Sequence, residues 1–101
     1  MEMRPHDLIA SVTFRSPELG GPENPIDIKI LRCPLEFQNE KFDCGLHLEG
    51  KTPVLPGSTV VVPITLLWPE LIKPRLKVGS KFSLWRLRTL ADGVVLEIVG
   101  G

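Results

Sequence analysis

Hydrophobic residues recur at every second position, in short runs. Leu8, Ala10, Val12 and Phe14 share one phase, and Ser11 and Thr13 fall in the other. Ile26, Ile28 and Ile30 alternate with Asp27 and Lys29. Phe42, Cys44, Leu46 and Leu48 form another row, and Val60, Val62, Ile64 and Leu66 the next. Phe82 and Leu84 open a further strand, and residues 94–99 close the chain. A period of two puts alternate side chains on one face of a strand, so these runs predict about six strands around a common core. Ten prolines and nine glycines cut the runs at short intervals and exclude long helices. Residues 17–25 read as a polar loop around Gly20-Gly21. Residues 68–74, bounded by prolines, read as a loop or at most one helical turn, with Trp68 packing at a barrel end. The predicted fold is all-β, a six-stranded antiparallel closed barrel. Closure is preferred because it removes the exposed edges of so small a sheet.

Local pairing follows from the turn at Gln38-Asn39. A two-residue turn sets Cys33 opposite Cys44, Leu35 opposite Phe42 and Glu36 opposite Lys41. A four-residue loop shifts the register and matches Phe37 with Phe42. Both registers put Cys44 on the face of Phe42 and Leu46, where it serves as a small core hydrophobe.

Length and charge bound the rest. The 101 residues suit a single β-barrel domain over 1–101, with residues 1–6 expected to be a mobile N-terminal extension. At 43% hydrophobic the chain is too apolar to be disordered. The formal net charge is zero, which gives no bulk attraction to nucleic acid or to an anionic membrane. The distribution is uneven, however. Residues 1–50 carry nine acids against five bases, and residues 51–101 carry seven bases against three acids. From Lys73 to Arg88 there are six bases and no acid, either a solvated barrel edge or a basic contact surface. No apolar signal segment follows Met1 and no run approaches membrane-spanning length, so the expected location is cytoplasmic and Cys33 and Cys44 are expected to be free thiols.

Motifs that carry chemistry are few. Gly45-Leu46-His47-Leu48-Glu49-Gly50-Lys51-Thr52 fits the phosphate-loop pattern letter for letter. That motif needs a helix whose N-terminus faces the phosphates, and Pro53 and Pro56-Gly57 follow Thr52 at once. Nucleotide binding is therefore not expected. Cys44 and His47, three apart on a strand, point to opposite faces and make a poor zinc nucleus, so no metal or other cofactor is expected. No serine sits in a G-x-S-x-G elbow, and no carboxylates are visibly paired, so no catalytic residues are assigned. Trp85 has the opposite phase to Leu84. It is expected to point outward among Lys81, Arg86 and Arg88, either as a binding anchor or as a ring lying over aliphatic neighbours.

Four words of the sequence, in order, carry a resemblance. The first is residues 8–14 followed by Ser16-Pro17-Glu18-Leu19-Gly20-Gly21. The second is Arg32-Cys33-Pro34-Leu35-Glu36-Phe37. The third is Leu55-Pro56-Gly57 with the apolar run 60–67. The last is Phe82-Ser83-Leu84 with Arg88-Thr89-Leu90-Ala91-Asp92-Gly93-Val94-Val95. Over about residues 7–99 the chain resembles the third, C-terminal β-barrel domain of translation elongation factor Tu. The resemblance implies the closed barrel. It also implies a domain that, in that family, helps hold the T-stem of aminoacyl-tRNA and meets the guanine-exchange partner. Of the family's polar set only Arg32, Arg88 and Thr89 match. Pro22 and Pro34 stand where an arginine and a glutamine are expected, and Arg86-Leu87-Arg88 replaces a glycine-rich turn. Proline offers no amide donor, and lost glycines remove close backbone approach, so the implied tRNA role is weakened.

The function expected is a non-catalytic binding module, translation-related through the resemblance, whose partner is another protein. The alternative is RNA binding through the basic segment 73–88. The residues expected to form the contact are Arg32, Lys73, Arg75, Lys77, Trp85, Arg86, Arg88 and Thr89.

Overall fold

The computed structural model describes residues 6–99. Six strands, β1 (Leu8–Phe14), β2 (Ile30–Phe37), β3 (Glu40–His47), β4 (Thr59–Leu66), β5 (Lys81–Arg86) and β6 (Arg88–Ile98), form a closed antiparallel barrel in the order β1-β4-β3-β2-β5-β6. The predicted architecture is the one found. The alternation read from sequence is its physical basis. Leu8, Ala10, Val12 and Phe14 of β1, Val62, Ile64 and Leu66 of β4, and Leu84 of β5 are fully buried. The polar members of the alternation line the outer wall.

The two-residue turn is also found. Gln38 and Asn39 both have positive φ, 52° and 66°, as a tight hairpin turn requires. Cys33 lies opposite Cys44, Leu35 opposite Phe42 and Glu36 opposite Lys41. Phe82 sits across from Gly93, and a β-carbon at Gly93 would come within 2.3 Å of the ring. That glycine leaves the Phe82 ring room against the β6 backbone.

Two readings are corrected. Residues 26–30 are not an inward strand. Only an isolated bridge joins Ile26 to Val54, and Ile28 and Ile30 are 46% and 41% exposed. The reason is phase: Leu31, Cys33, Leu35 and Phe37 take the inward positions, so even-numbered residues of β2 must face out. Trp68 does not pack into a barrel end but lies 53% exposed. The segment around it holds one α-helical turn, α1 (Pro69–Ile72), and then a 3-10 turn over Lys73–Arg75. Ile72 is its buried contact with the core. The expected mobile extension 1–6 lies outside the described residues except for His6, which is half-buried. Residues 45–47 of the phosphate-loop match belong to β3, and residues 48–52 form a turn with no helix after Thr52. No helix among the described residues is long and apolar enough to cross a membrane.

The barrel has two differently built ends. At the helix end lie the start of β1, the end of β4, α1, the 3-10 turn and the β2–β3 turn. At the hairpin end lie the β5–β6 turn and the loops 15–29 and 48–58.

Candidate functional site

The basic residues that cluster in sequence divide between these ends. β5 separates them. At about 3.3 Å per residue its six residues carry the chain roughly 16 Å from the turn after Lys77 to Arg86.

At the helix end the cations are engaged. Lys73 Nζ lies 3.6 Å from Asp7, whose carboxylate also accepts the Leu66 amide at 2.8 Å. Both side chains of this pair are largely shielded, so the Lys73–Asp7 contact ties the segment after α1 to the mouth of the barrel. Arg75 donates to Glu40 at 2.5 Å and to Gln38 at 2.7 Å. Its guanidinium lies 5.7 Å from the Phe37 ring centre and 5.5 Å from that of Phe42. Arg75 therefore braces the β2–β3 turn. Lys77 is exposed in the turn before β5, where its amide donates to the Ser80 hydroxyl.

Trp85 points outward, opposite in phase to the buried Leu84, but its ring is not free. The indole N–H donates to Glu36 at 2.6 Å, and Lys41 Nζ stands 4.3 Å from the ring centre. Glu36 and Lys41 are cross-strand neighbours, so the half-buried Trp85 fastens β5 to the β2–β3 hairpin. Its direct contacts are Glu36 and Lys41, and Arg86 lines the same hollow beside it.

At the hairpin end the arrangement is the reverse. Arg86 and Arg88 face each other across a turn whose apex is Leu87. Leu87 has φ 73° and is 101% exposed. A left-handed backbone is unfavourable for leucine, and so is full exposure of its side chain. No carboxylate among the described residues lies within ion-pair distance of Arg32, Arg86 or Arg88. The stem of Arg88 passes over Gly20, where a β-carbon would come within 3.3 Å of it. Gly21 in turn lets the loop close on β1, since a β-carbon there would fall 1.6 Å from the Arg15 carbonyl oxygen. The 3-10 turn Pro17–Leu19 and its two glycines thus support Arg88 from below.

Two hollows flank the turn and share Arg86 and Leu87. One, of about 250 Å³, runs between Arg32, Pro34 and Lys41 on one side and Trp85 on the other. The second, of about 340 Å³, runs under the loop 20–24 to Arg88 and Leu90. Thr89 is half-buried and lines neither hollow, and Leu90 is core. Of the expected contact set, the structure brings together Arg32, Trp85, Arg86 and Arg88. It places Lys73, Arg75 and Lys77 elsewhere. Leu87 joins the surface although the pattern of residues gave it no role. Its signal was a leucine at the apex of Arg86-Leu87-Arg88.

A third hollow, about 480 Å³, lies on the outer wall across β2, β3 and β4. Gly45 leaves its floor open, and Arg32, Asp43, His47 and Thr65 line it. His47 Nε2 and the Thr65 hydroxyl are 2.7 Å apart. No carboxylate among the described residues hydrogen-bonds the other ring nitrogen, so nothing orients the imidazole as a base for that hydroxyl. Cys33 and Cys44 are buried free thiols. The Cys44 thiol donates to the Cys33 carbonyl at 3.3 Å. The Cys33 thiol is held below its ordinary value by hydrogen bonding to Cys44, against the effect of burial and with help from nearby Arg86. Cys44 is pushed up by the same hydrogen bond and by burial. No group of three metal-ligating side chains occurs among the described residues.

No protein-family model matches the chain, and no curated protein matches it.

Proposed function

We propose that this barrel is a binding module whose contact surface is the hairpin end, and that its partner is another protein. One observation carries the reading. Leu87 is held fully exposed in a left-handed conformation between two arginines that have no acidic partner among the described residues. Each of these features is unfavourable or neutral for the isolated barrel, and each favours a contact with an apolar pocket rimmed by carboxylates. The resemblance to the third barrel of elongation factor Tu agrees with a contact role and suggests a setting in translation.

The RNA alternative draws on the same arginines with fewer cations and less open aromatic surface around them. Lys73 and Arg75 are committed to ion pairs, and the face of Trp85 on which a base would stack is occupied by Lys41. Capture from native cell extract, analysed for protein and RNA at two salt concentrations, tests the reading. The expected result is a protein retained by the wild type and lost with Arg86→Ala/Arg88→Ala. Retention of every partner by that double variant would refute the surface. Captured RNA whose yield falls steeply with salt would favour the alternative.

A further inference from the structure

The ladder between β2 and β5 has only two register pairs, Leu35 with Leu84 and Glu36 with Ser83. It stops where Pro34 follows, a residue with no amide hydrogen for the next rung. Yet β2 continues along β3 as far as Ile30.

The two-residue turn fixes the direction of the backbone groups along that stretch. Phe37 and Glu40 flank the turn as a hydrogen-bonded pair. Leu35 with Phe42, Cys33 with Cys44 and Leu31 with Leu46 therefore also direct their amides and carbonyls at each other. The Leu48 amide, 2.7 Å from the Lys29 carbonyl, continues the same alternation. Ile30 and Arg32 must then turn their N–H and C=O groups the other way, toward β5, which has already ended at Arg86. Among the described residues no turn or loop backbone bond meets them there. The side chains of Ile28 and Ile30 are largely exposed along the same segment. A strand edge that lies beyond its ladder and carries exposed isoleucines is a template for another strand.

We propose that residues 30–32 of β2 are a docking edge that pairs, strand to strand, with an extended acidic segment of another protein. The inference rests on the reading of the hairpin end as a protein contact and names the chemistry of its partner. Charge selects the occupant. Arg32, Arg86 and Arg88 surround the edge and its two hollows, and among the described residues Glu23 is the one carboxylate lining either hollow. A glutamate on the outer face of the incoming strand falls beside Arg32, and the residue two positions along falls beside Ile30. Main-chain hydrogen bonds to Arg32 hold the segment, and the guanidiniums select it.

A labelled octapeptide alternating glutamate with valine, titrated into the isotope-labelled full chain, tests this. At saturation, solvent exchange of the Arg32 amide slows by ~10-fold or more. Methylating the peptide at alternate amides weakens binding ~10-fold in one of the two frames, and Arg32→Glu weakens the parent peptide comparably. Failure of the peptide to bind overturns the edge. So does binding of both methylated frames within ~2-fold of the parent, or an unchanged Arg32 amide while the Arg86 and Arg88 signals move. In that last case the hairpin-end contact stands and only the strand pairing falls. If a uridine oligonucleotide binds the same residues more tightly than the peptide, the protein-contact reading falls as well.

Discussion

The two ends of this barrel hold the same kinds of residue and use them in opposite ways. At the helix end, Lys73 and Arg75 are locked to Asp7, Glu40 and Gln38, while Leu67, Trp68 and Leu71 lie more than half exposed. At the hairpin end, Arg86 and Arg88 have no acidic partner among the described residues and flank the fully exposed Leu87. The difference separates cations that hold the fold together from cations that the fold presents. A pair such as Lys73 and Asp7 closes the mouth of the barrel, and removing either partner strands a shielded charge. An arginine outside ion-pair range of any described carboxylate adds no such pair to the barrel. The same contrast governs the aromatics. Trp85 is a fastener across a seam of two register pairs, whereas Trp68 is uncovered surface.

Substitutions at the two ends should therefore separate in stability. The largest expected effect is at the helix end: Asp7→Ala should lower unfolding free energy by about 3 kcal/mol, because it leaves both Lys73 and the Leu66 amide without the carboxylate. Equilibrium urea denaturation measures it, and a loss comparable to that of a surface substitution would erase the distinction between the ends. Arg75→Ala follows, at about 1 kcal/mol. Its ion pair is partly solvated, but it also covers two phenylalanine rings. High salt should remove only part of that difference. At the hairpin end the sign should reverse. Leu87→Gly should raise stability by about 0.5 kcal/mol, since glycine accepts the left-handed backbone and no buried surface is lost. A destabilised Leu87→Gly would mean that the turn is a structural element after all.

Much of this architecture was legible in the residues. Period-two rows in β1 and β4 named their buried positions, and Gln38-Asn39 narrowed the β2–β3 register to two alternatives, of which the structure takes the two-residue turn with Cys33 opposite Cys44. What failed was phase carried by hydrophobicity alone. Ile28 and Ile30 read as inward because they are isoleucines, yet Cys33, Leu35 and Phe37 claim the other phase of β2, while Ile26, before that strand, does pack against the core. The binding surface was half legible for a related reason. Six bases between Lys73 and Arg88 look like one patch in a line of text, but a strand runs lengthwise and carries its two flanks to opposite ends. Arg32 reaches Arg86 only through barrel closure, which pairs β2 with β5 across about 50 residues of chain. Lys41 and Glu36, which occupy Trp85, could not be placed without that seam. Leu87 left only a local trace, a large apolar residue where a turn favours glycine or asparagine.

If the hairpin end, and not the exposed apolar helix end, meets the partner, an acid placed at each end acts differently. Capture of proteins from native cell extract by the wild type, Leu87→Glu and Leu71→Glu compares the ends directly, because each variant adds one acid to an exposed leucine. The account predicts that Leu87→Glu loses the captured protein while Leu71→Glu retains it at the wild-type level. Loss with Leu71→Glu and retention with Leu87→Glu would place the contact at the helix end and contradict it.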